Sequence, residues 1–408
     1  MTQMPAPHDT NARATGAGSA MRVVLLLSSA HLLGDFYAAF YAPLVPYLRE
    51  QFHLSLTMTG GLAALYMTVS NFLQPIFGMM GEQFGRRRVL AAGVLLSTLG
   101  MSAVALSGSM AGLWIALIVG GVGVGMFHPC GAALAGGGEP RVRFRSLSWY
   151  MVGGNLGVML APAVVPLLAG WDVRAVALLA VPGILFALYL GLRLPVEVLN
   201  PARAVSTHVA ETVRVFRKIW PIYVDVVLRF TTLQIYAVLL PLYATLEGYS
   251  RQEAGLTLAF FMLAGAAGVV GGGFVAHRVG HRKLVVFTEL GGGVCLMLAP
   301  GLSGWARYAL LGIGSALAYG STPLQLAAAQ RLAPRTEGAA SGIVMGLAYG
   351  MCSLLLLPLG RLGDHLTATF GSERLAVGAL LQWGAIAMFV AAICAMVIPL
   401  ERMEAREG

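Results

Sequence analysis

The sequence predicts an all-α polytopic membrane protein: twelve transmembrane helices in two pseudo-symmetric six-helix bundles. Three observations carry this reading: apolar blocks of span length, an uneven distribution of lysine and arginine, and an internal repeat. Of 408 residues, 57% are hydrophobic and only 11% charged, whereas soluble domains carry about 25% charged residues. The apolar residues fall in blocks long enough to cross a bilayer about 30 Å thick as helices.

Taken in order, residues 1–20 are polar and rich in Ala, Gly and Thr, and are expected to form a disordered cytoplasmic tail. They do not read as a signal peptide, because the apolar run that follows is too long for its hydrophobic region. Six spans are expected at 22–47, 57–80, 88–108, 112–135, 147–170 and 173–194, making an N-terminal bundle over 21–194. A polar stretch, 195–218, then interrupts the pattern and ends in the amphipathic basic segment ETVRVFRK, as a cytoplasmic linker would. Six further spans, 219–244, 253–275, 284–302, 305–330, 339–362 and 375–399, make a C-terminal bundle over 219–399, with a short tail at 400–408.

Orientation follows from the basic residues. With the N-terminus inside, twenty of the 27 Lys and Arg fall in cytoplasmic segments and five in outer loops; Arg229 and Arg361 lie within spans. Both termini are therefore expected in the cytoplasm of a bacterial inner membrane. The net charge of +9 is spread over many short loops, which speaks against a nucleic-acid partner. The four cysteines, Cys130, Cys295, Cys352 and Cys394, lie within spans and lack CxxC spacing, so they read as packing residues with no metal site.

The repeat has nearly one offset. GMMGEQFGRRR begins at Gly78 and GFVAHRVGHRK at Gly273; Pro46 matches Pro241, and Pro129 matches Pro323. Parallel six-helix repeats place a substrate path between the halves, with alternating access by rocking. Both segments resemble the major facilitator superfamily signature between helices two and three, roughly G-x-x-x-D-R-x-G-R-R. In the first, Gly78, Gly85, Arg86 and Arg87 match while Glu82 stands for Asp; in the second, Gly273, Arg278, Gly280, Arg282 and Lys283 match and His277 replaces the acid. The resemblance implies that these residues form a conformational latch in which the acid meets a helix N-terminus of the other half. Positive-inside topology alone also accounts for Arg86–Arg88.

A narrower likeness lies in His31 with Asp35 and the prolines that follow, NFLQPIFG at 71–78 and MFHPCGAALA at 126–135. These resemble the fosmidomycin-resistance branch of drug exporters. That branch commonly has Asn before the Asp, where this chain has Gly34.

Charge inside the membrane marks the candidate site. Asp35 lies about 20 Å along its helix at 1.5 Å per residue, near the midplane, and His31 is one turn away on the same face. Desolvation there favours the neutral acid, so Asp35 is a candidate proton carrier and His31 its relay; a merely hydrogen-bonded buried Asp is the plainer alternative. Asp225 and Arg229 are again i, i+4, which leaves Arg229 either neutralising Asp225 or facing the cavity as an anion clamp. His128, beside Pro129 and the glycine run GGVGVG, together with Asn71, Gln74, Asn155 and Gln325, are candidate cavity groups, each also readable as interhelical glue. Glu289 is expected to pair with the basic loop at 278–283, and Arg361 with Asp364 to form a gate or interface pair.

No HExxH, GxSxG or Walker A segment occurs, so neither enzyme chemistry nor ATP is indicated. The expected function is a secondary active transporter, with no cofactor beyond a proton gradient. Its expected partners are a small-molecule substrate, protons and the lipid bilayer, and it is expected to act as a monomer. The leading expectation is proton-coupled efflux of a small organic compound or drug. The alternative is proton-linked uptake of an anionic metabolite or siderophore-like carboxylate, with Arg229 as the clamp.

Overall fold

The computed structural model describes residues 10–135, 140–194, 208–279, 281–333 and 340–398. The N-terminal half contains α1 (Thr10–Ala38), α2 (Tyr41–Phe52), α3 (Leu56–Phe72), α4 (Gln74–Phe84), α5 (Arg86–Val104), α6 (Met110–Ala135), α7 (Pro140–Ala169) and α8 (Ala180–Arg193). The C-terminal half contains α9 (His208–Leu246), α10 (Arg251–Val279), α11 (His281–Leu298), α12 (Gly304–Gly320), α13 (Thr322–Leu332), α14 (Ala348–Phe370), α15 (Glu373–Gly384) and α16 (Ile386–Val397). Among the described residues ten helical stretches are long and apolar enough to cross a membrane unbroken.

The second and tenth expected spans make up the difference from twelve, because each is divided. Pro75 and Pro323 stand in the first turns of α4 and α13. Neither supplies an N–H to the turn before it, so the helix breaks at Leu73 and at Ser321. Two expected boundaries also move. The expected tail is helical from Thr10, and the last part of the expected linker, from His208, belongs to α9. The amphipathic pattern explains the second shift: Val215 within this extension and Ile219 just after it are buried and draw it into the bundle. Residues 1–9, 195–207 and 399–408 of the expected tails and linker lie outside the described residues.

Glycines set the tightest helix contacts. On α6, a Cβ at Gly123 would strike the backbone of Ser97 on α5, and one at Gly120 would meet Met101. Small residues let helix backbones approach where lipid offers no hydrophobic drive. The halves meet in the same way along α3 and α14, where Gly60 sits on the Leu356 carbonyl and Gly360 on that of Leu56.

Polar contacts between the halves gather at the end of the bundle near Leu54. Asp364 of α14 accepts hydrogen bonds from the N–H groups of Leu56 (2.8 Å) and Thr57 (2.9 Å) at the start of α3. Arg49 pairs with Glu373, and Arg251 with Glu50. Further along, Thr68 bonds Ser353 at 3.1 Å and Phe72 seats against Gly350. Beyond the break at Leu73, α4 packs on α5 and α6 of its own half, and Ile76 and Phe84 are exposed. Among the described residues, the polar contacts between the halves are concentrated at the Leu54 end.

The two halves repeat one device. Arg87 donates to the Leu194 carbonyl at 3.0 Å, and Arg282 to the Ile398 carbonyl at 3.0 Å. Each basic loop thereby caps the C-terminus of the last helix of its own half, where a cation meets the negative end of the helix dipole.

Candidate functional site

The site in the N-terminal half forms where α1, α6 and α7 converge. Asp35 lies between two imidazoles: His31 Nε2 is 3.1 Å from Oδ2 and His128 Nε2 is 3.3 Å from Oδ1. Helical i, i+4 spacing brings His31 onto the face of Asp35. His128 arrives from α6 one residue before Pro129. The side chains are 6% (His31), 13% (Asp35) and 28% (His128) exposed, so the group is largely desolvated and His128 is its most accessible member.

The glycines of α7 create the enclosure. Gly153 and Gly157 lie against the Ser28 and Leu32 carbonyls of α1, and a Cβ at Gly154 would come 2.6 Å from His31 Nε2 and 2.7 Å from Asp35 Oδ2. The run GGNLG therefore has a packing role that its pattern alone did not reveal. Gly34 answers to its own neighbour: a Cβ there would lie 2.5 Å from the Phe127 ring. The Asn common at this position in the resembling branch would require Phe127 to move.

One contact decides the protons. His31 Nδ1 is 2.8 Å from the Tyr150 carbonyl, and the Tyr150 ring stacks on the imidazole at 3.9 Å. A carbonyl only accepts, so Nδ1 carries a hydrogen. In a neutral His31, Nε2 would then present a lone pair to Asp35 Oδ2 across 3.1 Å, an acceptor facing an acceptor. A proton must lie between them, on the imidazole or on the acid. Tyr150 was not among the residues singled out in the sequence, because a backbone carbonyl leaves no signature there.

The other expected cavity residues divide. Asn155 is exposed. It lies seven residues before Pro162, on the face of α7 that packs against Gly255 of α10 nearer the Leu54 end. Asn71 and Gln74 are half-buried beside the Leu73 break: Asn71 donates to the Met67 carbonyl at 2.8 Å and Gln74 to Asn71 Oδ1 at 3.4 Å.

Arg229 and Gln325 do not face the cavity; they are 0% and 2% exposed. Nor does Arg229 bond Asp225 directly. It donates to the Ala318 carbonyl (2.8 Å), Thr322 Oγ1 (3.0 Å) and Gln325 Oε1 (2.6 Å). The break at Ser321 explains this choice, since carbonyls in the last turn of α12 lose their helical donors there and a cation at a helix C-terminus is favoured. Glu289 is also corrected: it is 0% exposed and accepts from Gln325 Nε2 at 3.2 Å, so it turns into the bundle and away from the basic loop.

Of the expected latch, Gly85 has φ 96°, a conformation that glycine adopts without strain. Gly81 packs against Cys130, while Gly78 sits in ordinary contact with Pro129. Glu82 lies 3.7 Å from Arg86 in the same half. Gly273 and Arg278 fall on α10, and Gly280 lies outside the described residues.

Comparison with known proteins agrees with this architecture. The fosmidomycin resistance protein of Escherichia coli is 27% identical over 383 residues, covering 90% of this chain and 92% of that protein. An uncharacterised MFS-type transporter of Bacillus subtilis is 25% identical over 354 residues, covering 84% and 86%. A solved nucleoside transporter shares the fold with a TM-score of 0.72 at 14% identity, covering 92% of this chain and 98% of that one. A D-xylose–proton symporter does so at 0.69 and 16%, covering 90% and 96%. The model of the Major Facilitator Superfamily matches residues 27–356, and the chain, a membrane transporter and not an enzyme, belongs to that superfamily.

Proposed function

We propose that this transporter is a proton-coupled antiporter of the bacterial inner membrane that exports a small organic compound, with Asp35 as the proton-carrying group. The observation that carries the reading is the His31–Asp35–His128 group, whose hydrogen bond to the Tyr150 carbonyl requires a proton between His31 and Asp35. The lysine and arginine distribution supports placing both termini and the Gly85 end in the cytoplasm. On that orientation the polar contacts that join the halves lie at the outer end, which supports reading this as the inward-facing state in which an exporter collects its substrate.

The cycle follows from competition for one acid. In this state Asp35 holds a proton with His31, and His128 stands at the edge of the cleft. Substrate entering beside His128 displaces the proton toward the cytoplasm. The loaded carrier then opens outward, and a proton from outside expels the substrate. A ligand that has equal affinity for both states shifts nothing, so the coupling requires proton and substrate to exclude one another at this group.

The likeness to the fosmidomycin resistance protein makes fosmidomycin the first probe. The test is fosmidomycin flux in proteoliposomes under an imposed pH gradient. Asp35→Asn is expected to abolish gradient-driven flux while leaving substrate exchange without a gradient. Full gradient-driven transport by that variant would overturn the assignment. Uptake of an anion through an Arg229 clamp loses its support, because the guanidinium is buried and engaged by α12 and α13.

A further inference from the structure

The C-terminal half contains a second group of buried ionisable residues that the transport cycle above does not use. Asp225 of α9, Glu289 of α11 and Gln325 of α13 meet at its centre, with both acids 0% exposed. The amide nitrogen of Gln325 donates to one oxygen of each acid, Asp225 Oδ2 and Glu289 Oε1. The other oxygens, Asp225 Oδ1 and Glu289 Oε2, have no hydrogen-bond donor, and the shared Gln325 nitrogen holds the two carboxyl groups side by side.

We propose that Asp225 and Glu289 form a second proton-binding site, separate from Asp35, which holds one proton in this state. Two ionised carboxylates are acceptors only, so the two oxygens left without donors can satisfy one another only when one acid is protonated. The charge balance leads to the same place. The cation beside the pair is Arg229, and its NH groups are directed to Ala318, Thr322 and Gln325. Two carboxylates and one guanidinium leave an unmatched negative charge in a fully buried setting, and an unmatched buried charge is strongly disfavoured. One shared proton removes it, as in other close carboxyl pairs.

Among the described residues, the remaining titratable groups around the cluster supply no second cation. Cys394 approaches Glu289 from α16, while Tyr319 of α12 and Tyr349 and Cys352 of α14 lie around Arg229. Thiols and phenols carry no positive charge in either protonation state, so none of the four offsets the second carboxylate. The site also reaches the break in span ten: Gln325 binds both acids and Arg229, and Arg229 holds Ala318 and Thr322 on either side of Ser321. Proton occupancy is thereby tied to the bend of that span.

Infrared difference spectroscopy during a pH titration of the full-length protein in lipid tests this without any transported substrate. The parent is Asp35→Asn, which removes the first site. The carbonyl stretch of a protonated carboxylic acid is expected at neutral pH in this parent and is lost on alkalinisation. Adding Glu289→Gln or Asp225→Asn should each delete the titrating band, and the isosteric Glu289→Gln should make the melting temperature less sensitive to alkaline pH. A band that persists in both double variants, or a parent that has none, overturns the proposal. The outcome is independent of whether Asp35 couples transport, because Asp35 is already replaced and no flux is measured.

Discussion

Replacing Asp364 should loosen the Leu54 end of the bundle, where it joins the two halves. Its carboxylate accepts the first two N–H groups of α3, Leu56 and Thr57, from the other half of the molecule, while Ser55 accepts that of Met58. Helix N-termini leave these donors unsatisfied, and a carboxylate there also meets the positive end of the dipole. Loss of an N-capping side chain costs about 0.5–2 kcal/mol, and a hydrogen bond to a charged group is worth about 1.5–3 kcal/mol. Water reaches this half-exposed end and replaces part of the loss, so Asp364→Ala should disfavour the closed state by about 1–2 kcal/mol. At 1.4 kcal/mol per factor of ten, the ratio of closed to open falls about 5- to 30-fold. Spin labels at the exposed positions Ser109 and Ser303, in loops of the two halves at this end, report the change by double electron–electron resonance. A longer-distance population is expected in the variant. A distance distribution unchanged from the parent would refute the view that this carboxylate holds the halves together.

The other expectations are briefer. Arg87→Ala and Arg282→Ala each remove one cap from a final helix and should lower the melting temperature alike, each by roughly 0.5–1.5 kcal/mol of stability. Because the sites are far apart the double variant should show the sum. Gly85→Ala forces a Cβ onto a residue at φ 96°, at a cost of roughly 1–2 kcal/mol, measurable by thermal denaturation in detergent. Glu247 accepts bonds from Arg307 at 2.8 Å and Arg374 at 2.7 Å. Partial burial pushes its carboxyl up, but those two guanidinium groups outweigh it and hold it below the usual glutamate range. Its stabilisation is therefore present at neutral pH and lost as pH falls through that depressed value. Glu247→Gln should flatten the acid side of the melting-temperature profile; a profile as steep as the parent's would show that this carboxylate does not contribute.

The parts of the fold set by local spacing were legible before any coordinates. Span-length apolar blocks predicted the helices, and the matched loops at Gly78 and Gly273 predicted a repeat whose two arginines, Arg87 and Arg282, make equivalent caps. His31 and Asp35 were readable because four residues on one helix fix a shared face. His128 could be proposed but not joined to them, since nothing in α6 says which turn of α1 it will meet. The glycines of α7 were invisible as site residues for the same reason: their role is to let α1 come close.

Arg229 shows where such reasoning can be carried further. Its i, i+4 relation to Asp225 suggested an ion pair, yet shared helical phase only makes contact possible; it does not make it the best use of a guanidinium in hydrocarbon. Inside a membrane every freed backbone carbonyl needs a donor. Pro323 guarantees that span ten will have such carbonyls just before it, and the arginine on the neighbouring α9 reaches Ala318 and Thr322 across that break. Once Arg229 is committed there, Asp225 must find another partner, and Gln325 supplies an amide that also binds Glu289. The arrangement of both acids thus follows from a proline in a different helix, and a reading that begins with the broken span arrives at the buried cluster where one that begins with charge spacing does not.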